Sequence, residues 1–275
     1  MFGSPMTGDR ETAPEDVRMR GFRARVGVEE ALAAALSGVT PLPAEEVPLE
    51  GAAGRVTAVP VASEVDVPGF ARATMDGYAV RAEDTFGASP YNPIPLALTG
   101  EAMPGRPAPG SVGRGEAWRI MTGAPLPQGA DAVLRAEDAA EAGRVVEARA
   151  AVPGGRNVGR GGEDVRRGDQ VVPAGRRLLP QDLGLLSSVG RATVAVHRRP
   201  RVRLIVSGNE LLPPGTHPEA GHIADSNGPM LTALVARDGG LLAELLRLPD
   251  DREAMRDALS RPGAEVTVTA GAVSV

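Results

Sequence analysis

RVRLIVSGNE, residues 201–210, runs through a mostly apolar stretch, Val202 to Val206, and ends in the polar turn Ser207-Gly208-Asn209-Glu210. A short apolar run closed by a glycine turn reads as a buried strand. Asn227 to Arg237 then has helical spacing, Leu241 to Leu248 is apolar, Asp250 to Leu259 is a helix opening on an acidic cap, and Glu265 to Thr269 is strand-like again. Strand, helix, strand, helix, strand is half of a parallel sheet covered by helices. Ligands of such sheets lie past the carboxyl ends of the strands. Those ends are Ser207 to Glu210 after the first strand and Ala270-Gly271-Ala272-Val273-Ser274 after the last. The sequence reaches Val275 just beyond, so the sheet is expected to be incomplete.

Upstream of residue 200 the rhythm is different. Short apolar runs separated by Pro and Gly occur at Glu46 to Leu49, Arg55 to Val61, Ile94 to Thr99, Ala117 to Met121, Ala132 to Arg135, Arg144 to Ala148 and Gln170 to Ala174. Strands at that spacing predict a compact β-rich module. Val67 to Val80, VPGFARATMDGYAV, sits within it, and its Asp76-Gly77 pair predicts a hairpin turn. Val28 to Leu36 has helical propensity with an apolar stripe stopped at Ser37-Gly38, and Pro180 to Val189 reads as a helix with Pro at its start. Residues 1–27 mix arginines with acids and lack the apolar core of a secretory signal, so they are expected to form a mobile tail on a cytoplasmic protein.

Composition narrows the chemistry. The 30 basic residues are all arginine, against 35 acidic ones, for a net charge of -5. That balance argues against duplex nucleic acid or an anionic membrane as the main partner, and no apolar run is long enough to span a bilayer. Without lysine there is no P-loop lysine, Schiff base or lysine general base. Without cysteine there is no disulfide, thiolate nucleophile or zinc-thiolate site. His197, His217 and His222 have no metal-binding spacing. A metal here is therefore a hard one held by oxygens.

The oxygens fall in distinct blocks. RIMTGAPLPQGADAVL, 119–134, presents Thr122 on a loop stiffened by Pro125 and Pro127. GGEDVRRG, 161–168, places two adjacent carboxylates among arginines, a pattern that a charged surface turn also gives. Glu210 follows the buried strand directly. Asp225 precedes Ser226-Asn227 at a helix start, where it or Ser226 serves as a cap and the free amides suit a phosphate. Asp76, Asp164, Glu210 and Asp225 together are a kit for Mg²⁺ on a phosphorylated substrate rather than for nucleophilic catalysis.

These blocks carry a resemblance. VPGF with TMDGYAV at 67–80, RIMTGAPLPQGADAV at 119–133, GGEDVRRGD at 161–169, SGNEL at 207–211 and HIADSNGPML at 222–231 resemble, in order, the molybdopterin molybdenumtransferase family, MoeA and the E domain of gephyrin. The resemblance covers most of residues 28–275. It implies an elongated α/β multidomain protein: a discontinuous hinge domain (28–66 and 157–199), a β-rich lid (67–156) and a partial αβα, MogA-like domain (200–275). It also implies insertion of molybdate into adenylylated molybdopterin with release of AMP, dependent on Mg²⁺, in a homodimer with molybdopterin adenylyltransferase as pathway partner. By motif, Asp76 and Thr122 face the pocket from the lid, Asp164 from the hinge, and Glu210 and Asp225 from the αβα domain. Asp76, Glu210 and Asp225 are the implied Mg²⁺ ligands. Ser207, Gly208, Ser226, Asn227, Gly271 and Ser274 are the implied cofactor-binding residues.

Two positions depart from the family pattern. Asn157-Val158-Gly159-Arg160 has glycine where the pattern NxRxxGED has arginine, and Ala272 replaces the second glycine of an SGGVS-like loop. Where that backbone needs a positive φ, alanine costs about 1 kcal/mol, so pterin binding is expected to weaken. With the αβα domain cut at Val275, the chain alone is expected to be inactive or prone to aggregate. The alternatives are a non-catalytic pterin-binding or scaffolding homologue, an inactive fragment of the transferase, or a generic αβα nucleotide-binding protein with a β insertion.

Overall fold

The computed structural model describes residues 26–219 and 221–271. Residues 1–25, which make up nearly all of the expected tail, and Ala272 to Val275, which include Ser274, lie outside them. The chain forms two compact units, one of Glu45–Val196 and the other of Met1–Ala44 with His197–Val275.

In the first unit a six-stranded sheet is built from β1 (Gly77–Val80), β2 (Ile94–Ala102), β3 (Glu116–Ile120), β4 (Ala132–Arg135), β5 (Ala139–Ala142) and β6 (Val145–Ala148). Its order is β4-β1-β3-β2-β6-β5, antiparallel except for the β2–β3 pair. Alternating side chains serve two cores. Tyr78, Val80, Ala117, Ala132 and Leu134 pack on one face, whereas Ala79, Trp118, Ile120 and Val133 pack on the other. With both faces covered, GYAV and AVLR need no polar alternation. A third core joins distant segments: Ala52 and Val61 pack with Val172, Leu178, Leu186, Val194 and Val196. The helix α2 (Pro180–Ser188) contributes Leu186 and starts at Pro180, and its Asp182 accepts from the Leu179 N–H at 2.8 Å and pairs with Arg176.

The Asp76-Gly77 hairpin is not there. Arg72–Ala73 is a strand, but it pairs with Val158–Gly159, while β1 pairs with β3 and β4 on its two sides. Gly77 is glycine because of close approach, since a Cβ there would overlap the Leu134 carbonyl oxygen. Arg55 to Val61 is also not a strand. Only Val61–Ala62 pairs continuously, and Val56 and Thr57 make isolated bridges to Arg177 and Val196.

The second unit contains α1 (Val28–Leu36), which buries no residue, and the parallel sheet expected from the 201–210 stretch. β7 (Arg201–Ser207) lies between β8 (Leu241–Leu248) and β9 (Val266–Gly271), both parallel to it. The connecting helices are α3 (Asn227–Arg237) and α4 (Arg252–Ser260). The helix α4 is capped by Asp251, one residue later than the sequence suggests, its carboxylate accepting from the Ala254 N–H at 2.8 Å. Arg203, polar in a buried strand, is 3% exposed because its guanidinium closes the end of α4. It donates to the carbonyls of Ala258, Arg261 and Pro262 at 2.7–3.2 Å and pairs with Glu244.

Two measurements follow. Trp118, the sole tryptophan, stacks so closely on Gly100 that a Cβ there would overlap the indole, so Gly100→Ala destabilises the six-stranded sheet by about 1–3 kcal/mol, read as a lower urea midpoint of tryptophan emission. Glu265 accepts from Arg198 Nη2 at 2.9 Å and from the Arg201 N–H at 2.6 Å, and these donors hold its carboxyl down at about 2 instead of 4.5. A depressed carboxylate stabilises above its unfolded value and loses that contribution as pH falls through its folded one. Stability of this unit therefore falls from pH 4.5 towards 2, and Glu265→Gln flattens that part of the profile in denaturation followed by circular dichroism.

Candidate functional site

The site residues of the first unit meet because one short segment is paired on both sides. Ala71 to Thr74 runs between 122–126 and 157–159. On one side the Leu126 N–H donates to Ala71 O at 2.9 Å and the Ala73 N–H to Ala124 O at 3.0 Å. On the other, the Thr74 N–H donates to Asn157 O at 3.0 Å. VPGF joins GGED in the same way: the Gly162 N–H donates to Pro68 O, the Asp164 N–H to Val67 O, and the Val67 N–H to Val165 O, all at 2.7–3.0 Å. Three blocks far apart in sequence thus share one surface.

On that surface Asp76 and Thr122 are directly bonded. One oxygen of Asp76, Oδ1, accepts from both the N–H and the hydroxyl of Thr122, each at 2.7 Å. The Thr122 N–H, then its hydroxyl, hold this exposed carboxyl below its usual value. Among the described residues Oδ2 carries no such bond, so Asp76 presents an ionised, oriented oxygen. Asp164 is 60% exposed and has a long ion pair, 3.8 Å, with Arg72.

Its neighbour Glu163, which the sequence reading did not single out, is the organised member of that block. It accepts from Arg72 at 2.9 Å and from the Arg160 N–H at 3.0 Å, and these donors lower its carboxyl. Gly159 makes room for it: a Cβ at that position would meet the Glu163 carboxylate at 2.8 Å. The glycine that departs from the NxRxxGED pattern is thus the one over which Glu163 folds to hold Arg72.

In the second unit the site residues collect at the carboxyl ends of β7, β8 and β9. Ser207 is registered with Gly271, and a Cβ on Gly271 would overlap the Ser207 hydroxyl. β8 and β9 flank β7, so the chain leaves β7 in one direction and crosses back over it to reach β9. The crevice of a doubly wound sheet opens at that reversal, between Ser207 and Gly271. Gly208 donates its N–H to Leu248 O at 3.1 Å, and the Glu210 side chain folds back over it. Ser226 and Asn227 are exposed at the start of α3, and Ser226 makes no capping bond through its side chain.

Asp225 is different. Its side chain is 0% exposed; Oδ1 accepts from the Gly228 N–H at 2.8 Å and Oδ2 from Arg247 Nε at 2.7 Å. Burial pushes its carboxyl up, but the Gly228 N–H and the Arg247 guanidinium outweigh that and leave it lowered. With both oxygens engaged by protein donors, Asp225 does not fit a cation. Among the described residues no group of three or more His, Asp or Glu side chains could hold a metal ion, and no helix is long and apolar enough to cross a membrane. Asp76 and Glu210 lie in different units. Arg247 was absent from the sequence-level candidates, although a lone arginine near the end of LLAELLRL was the signal that could have found it.

Two family models match the chain over most of its length. Residues 26–190 match the family described as MoeA N-terminal region (domain I and II), and residues 203–275 match the family described as probable molybdopterin binding domain. Molybdopterin molybdenumtransferase 2 of Mycobacterium tuberculosis is 38% identical over 230 residues, 83% of this chain and 57% of that protein. The molybdopterin molybdenumtransferase of Synechococcus elongatus is 34% identical over 241 residues, 86% of this chain and 60% of its own length. A crystal structure of the molybdopterin biosynthesis MoeA protein from Pyrococcus horikoshii superposes with a TM-score of 0.81 at 36% identity, over 88% of this chain and 65% of that one. The chain thus spans under two thirds of the length of these relatives.

The Asp76–Thr122 pair makes a local prediction. Thr122→Val removes the hydroxyl donor and keeps the amide, so the Asp76 carboxyl rises towards 3.8 without reaching it. Carbon-detected NMR titration of the Asp76 carboxyl measures the shift.

Proposed function

We propose a function from one premise: the chain belongs to the MoeA family, whose N-terminal region it matches over more than half of its length. The reading is that the chain acts in molybdenum cofactor biosynthesis, as part of a molybdopterin molybdenumtransferase that inserts molybdate into adenylylated molybdopterin and releases AMP. The observation that carries it is the Asp76–Thr122 pair, which fixes one ionised oxygen at the edge of a loop that two other family blocks stitch in place.

The residues suit different parts of that substrate. Ser207, Gly208 and Gly271 border the crevice at the strand reversal, where small residues let a planar ring and its phosphate approach the backbone. Glu210, folded over Gly208, lies next to that crevice. Asp76 has an open oxygen for a water or a hydrated cation; Asp164 is exposed beside Arg72. Mg²⁺ bound with the phosphates would neutralise their charge and polarise the bond to be broken. Asp76 has an oxygen open to such a cation, whereas the Asp225 carboxylate is sealed.

As in the family, the reading includes a homodimer, with molybdopterin adenylyltransferase supplying the adenylylated substrate in the cytoplasm. A scaffolding homologue that binds pterin without turnover is the second reading, favoured by Gly159, whose place in the pattern belongs to an arginine.

One assay separates the two. With adenylylated molybdopterin, molybdate and Mg²⁺, the reading expects AMP release that Asp76→Ala and Glu210→Ala each lower by about tenfold or more, roughly 1.4 kcal/mol of transition-state stabilisation. Near-normal rates in both variants overturn the site assignment. Pterin binding without any AMP release from the unaltered chain overturns the transferase reading for this chain and fits the scaffold or an inactive fragment.

A further inference from the structure

A carboxylate with no exposed surface is costly to bury unless it is paired and fully hydrogen-bonded. Asp225 meets that condition through Arg247 and the first turn of α3. An apolar side chain, or a neutral cap, would close the start of α3 without a charge, so the useful product of the pair is the other partner. Arg247 is 37% exposed. Its Nε is fixed on Asp225, and among the described residues its Nη groups make no further bond.

Its place in the sheet is equally specific. Arg247 is registered with Val206, which is registered with Ala270, one residue before the Ser207–Gly271 pair that borders the crevice. The other polar residue of β8, Glu244, faces Arg203 and Arg261 and is occupied by them. The start of α3 is shaped to the pair as well: Gly228 is buried, and a Cβ there would overlap the Asp225 carboxylate and stand 3.2 Å from Arg247 Nη2. A side chain there would crowd both members of the pair.

We infer that Arg247 is a phosphate-contacting residue at the carboxyl end of the parallel sheet, and that Asp225 is the positioning residue that aims it. A guanidinium held through Nε offers its remaining N–H groups as a fork, the geometry that phosphate oxygens accept from arginine and not from lysine. The inference deepens the proposed function and rests on it for the identity of the phosphate, which belongs either to a phosphoanhydride or to an adenylate. The arginine itself is argued from this chain alone.

The test is calorimetric titration of the 275-residue chain with inorganic pyrophosphate and, separately, with AMP. Loss of such charge-assisted bonds in Arg247→Gln is expected to weaken binding about tenfold or more. Arg247→Lys does not restore it, because the fork is lost. Asp225→Asn weakens it less, about three- to tenfold, and the double variant Arg247→Gln/Asp225→Asn binds no worse than Arg247→Gln alone, the non-additivity of one residue acting through another.

The double variant also removes the buried charge, so its circular dichroism and thermal midpoint control for folding. A purely structural pair moves the midpoint and leaves affinity unchanged. Dependence on Arg247 with AMP places the adenylate phosphate there, and dependence with pyrophosphate alone places the phosphoanhydride. No binding by the unaltered chain, or equal affinity in Arg247→Gln, overturns the inference. Neither result touches the AMP-release assay of Asp76→Ala, so the two readings fail separately.

Discussion

The peptide groups of Ala71 to Thr74 are paired on two sides at once, and the arrangement of the site in the first unit depends on that pairing. Buried or half-buried amides and carbonyls must find partners, and those of this segment find them in two loops distant in sequence. Arg72 repeats the constraint in its side chain, which reaches Glu163 and Asp164 on the far loop. Asp76 follows directly and inherits a fixed place, and its bonds to Thr122 close the same junction from the other direction. The site is therefore a by-product of backbone pairing rather than of a turn that presents one carboxylate.

Buried charge organises the parallel sheet in a comparable way. Arg203 and Asp225 are both almost wholly inaccessible, and each joins a helix end to a strand: Arg203 gathers the carbonyls that end α4, and Asp225 the amides that begin α3. Breaking such an arrangement by removing one partner leaves an unpaired buried charge, which is far more harmful than the net worth of the pair. Arg261 approaches Glu244 as well, so the three residues Arg203, Glu244 and Arg261 fix β7, β8 and the end of α4 against each other. The polar residues in otherwise apolar strands are the ones that set where the helices sit.

Periodicity made much of this legible. Val28 to Leu36, Asn227 to Arg237, and the strands at 132–135 and 241–248 fall where spacing and breakers place them. In all but Val28 to Leu36, which buries no residue, local preference and tertiary environment agree. The hairpin at Asp76-Gly77 failed because turn chemistry specifies a bend, not which strands flank it; non-local pairing with β3 and β4 decided that. Arg55 to Val61 failed for a similar reason, as β-branched residues there make single bridges to two different partners in place of a ladder. In the site, Asp76 and Thr122 were legible as residues, but Glu163 reads as part of a charged surface turn and Arg247 lies inside a run that reads as apolar.

The sequence by itself determined which residues are available: no lysine or cysteine, oxygen-bearing side chains in five ordered blocks, and a strand–helix rhythm from Arg201 that can only form a parallel sheet. These follow from composition and short-range spacing, which are properties of the chain alone. The tertiary structure decided what each carboxylate does. Asp76 was left with an open oxygen, Glu163 was folded over Gly159, and Asp225 was sealed against Arg247. The physical reason is that an acid's role depends on its remaining lone pairs and its access to water, and both are set by neighbours tens of residues away in the chain.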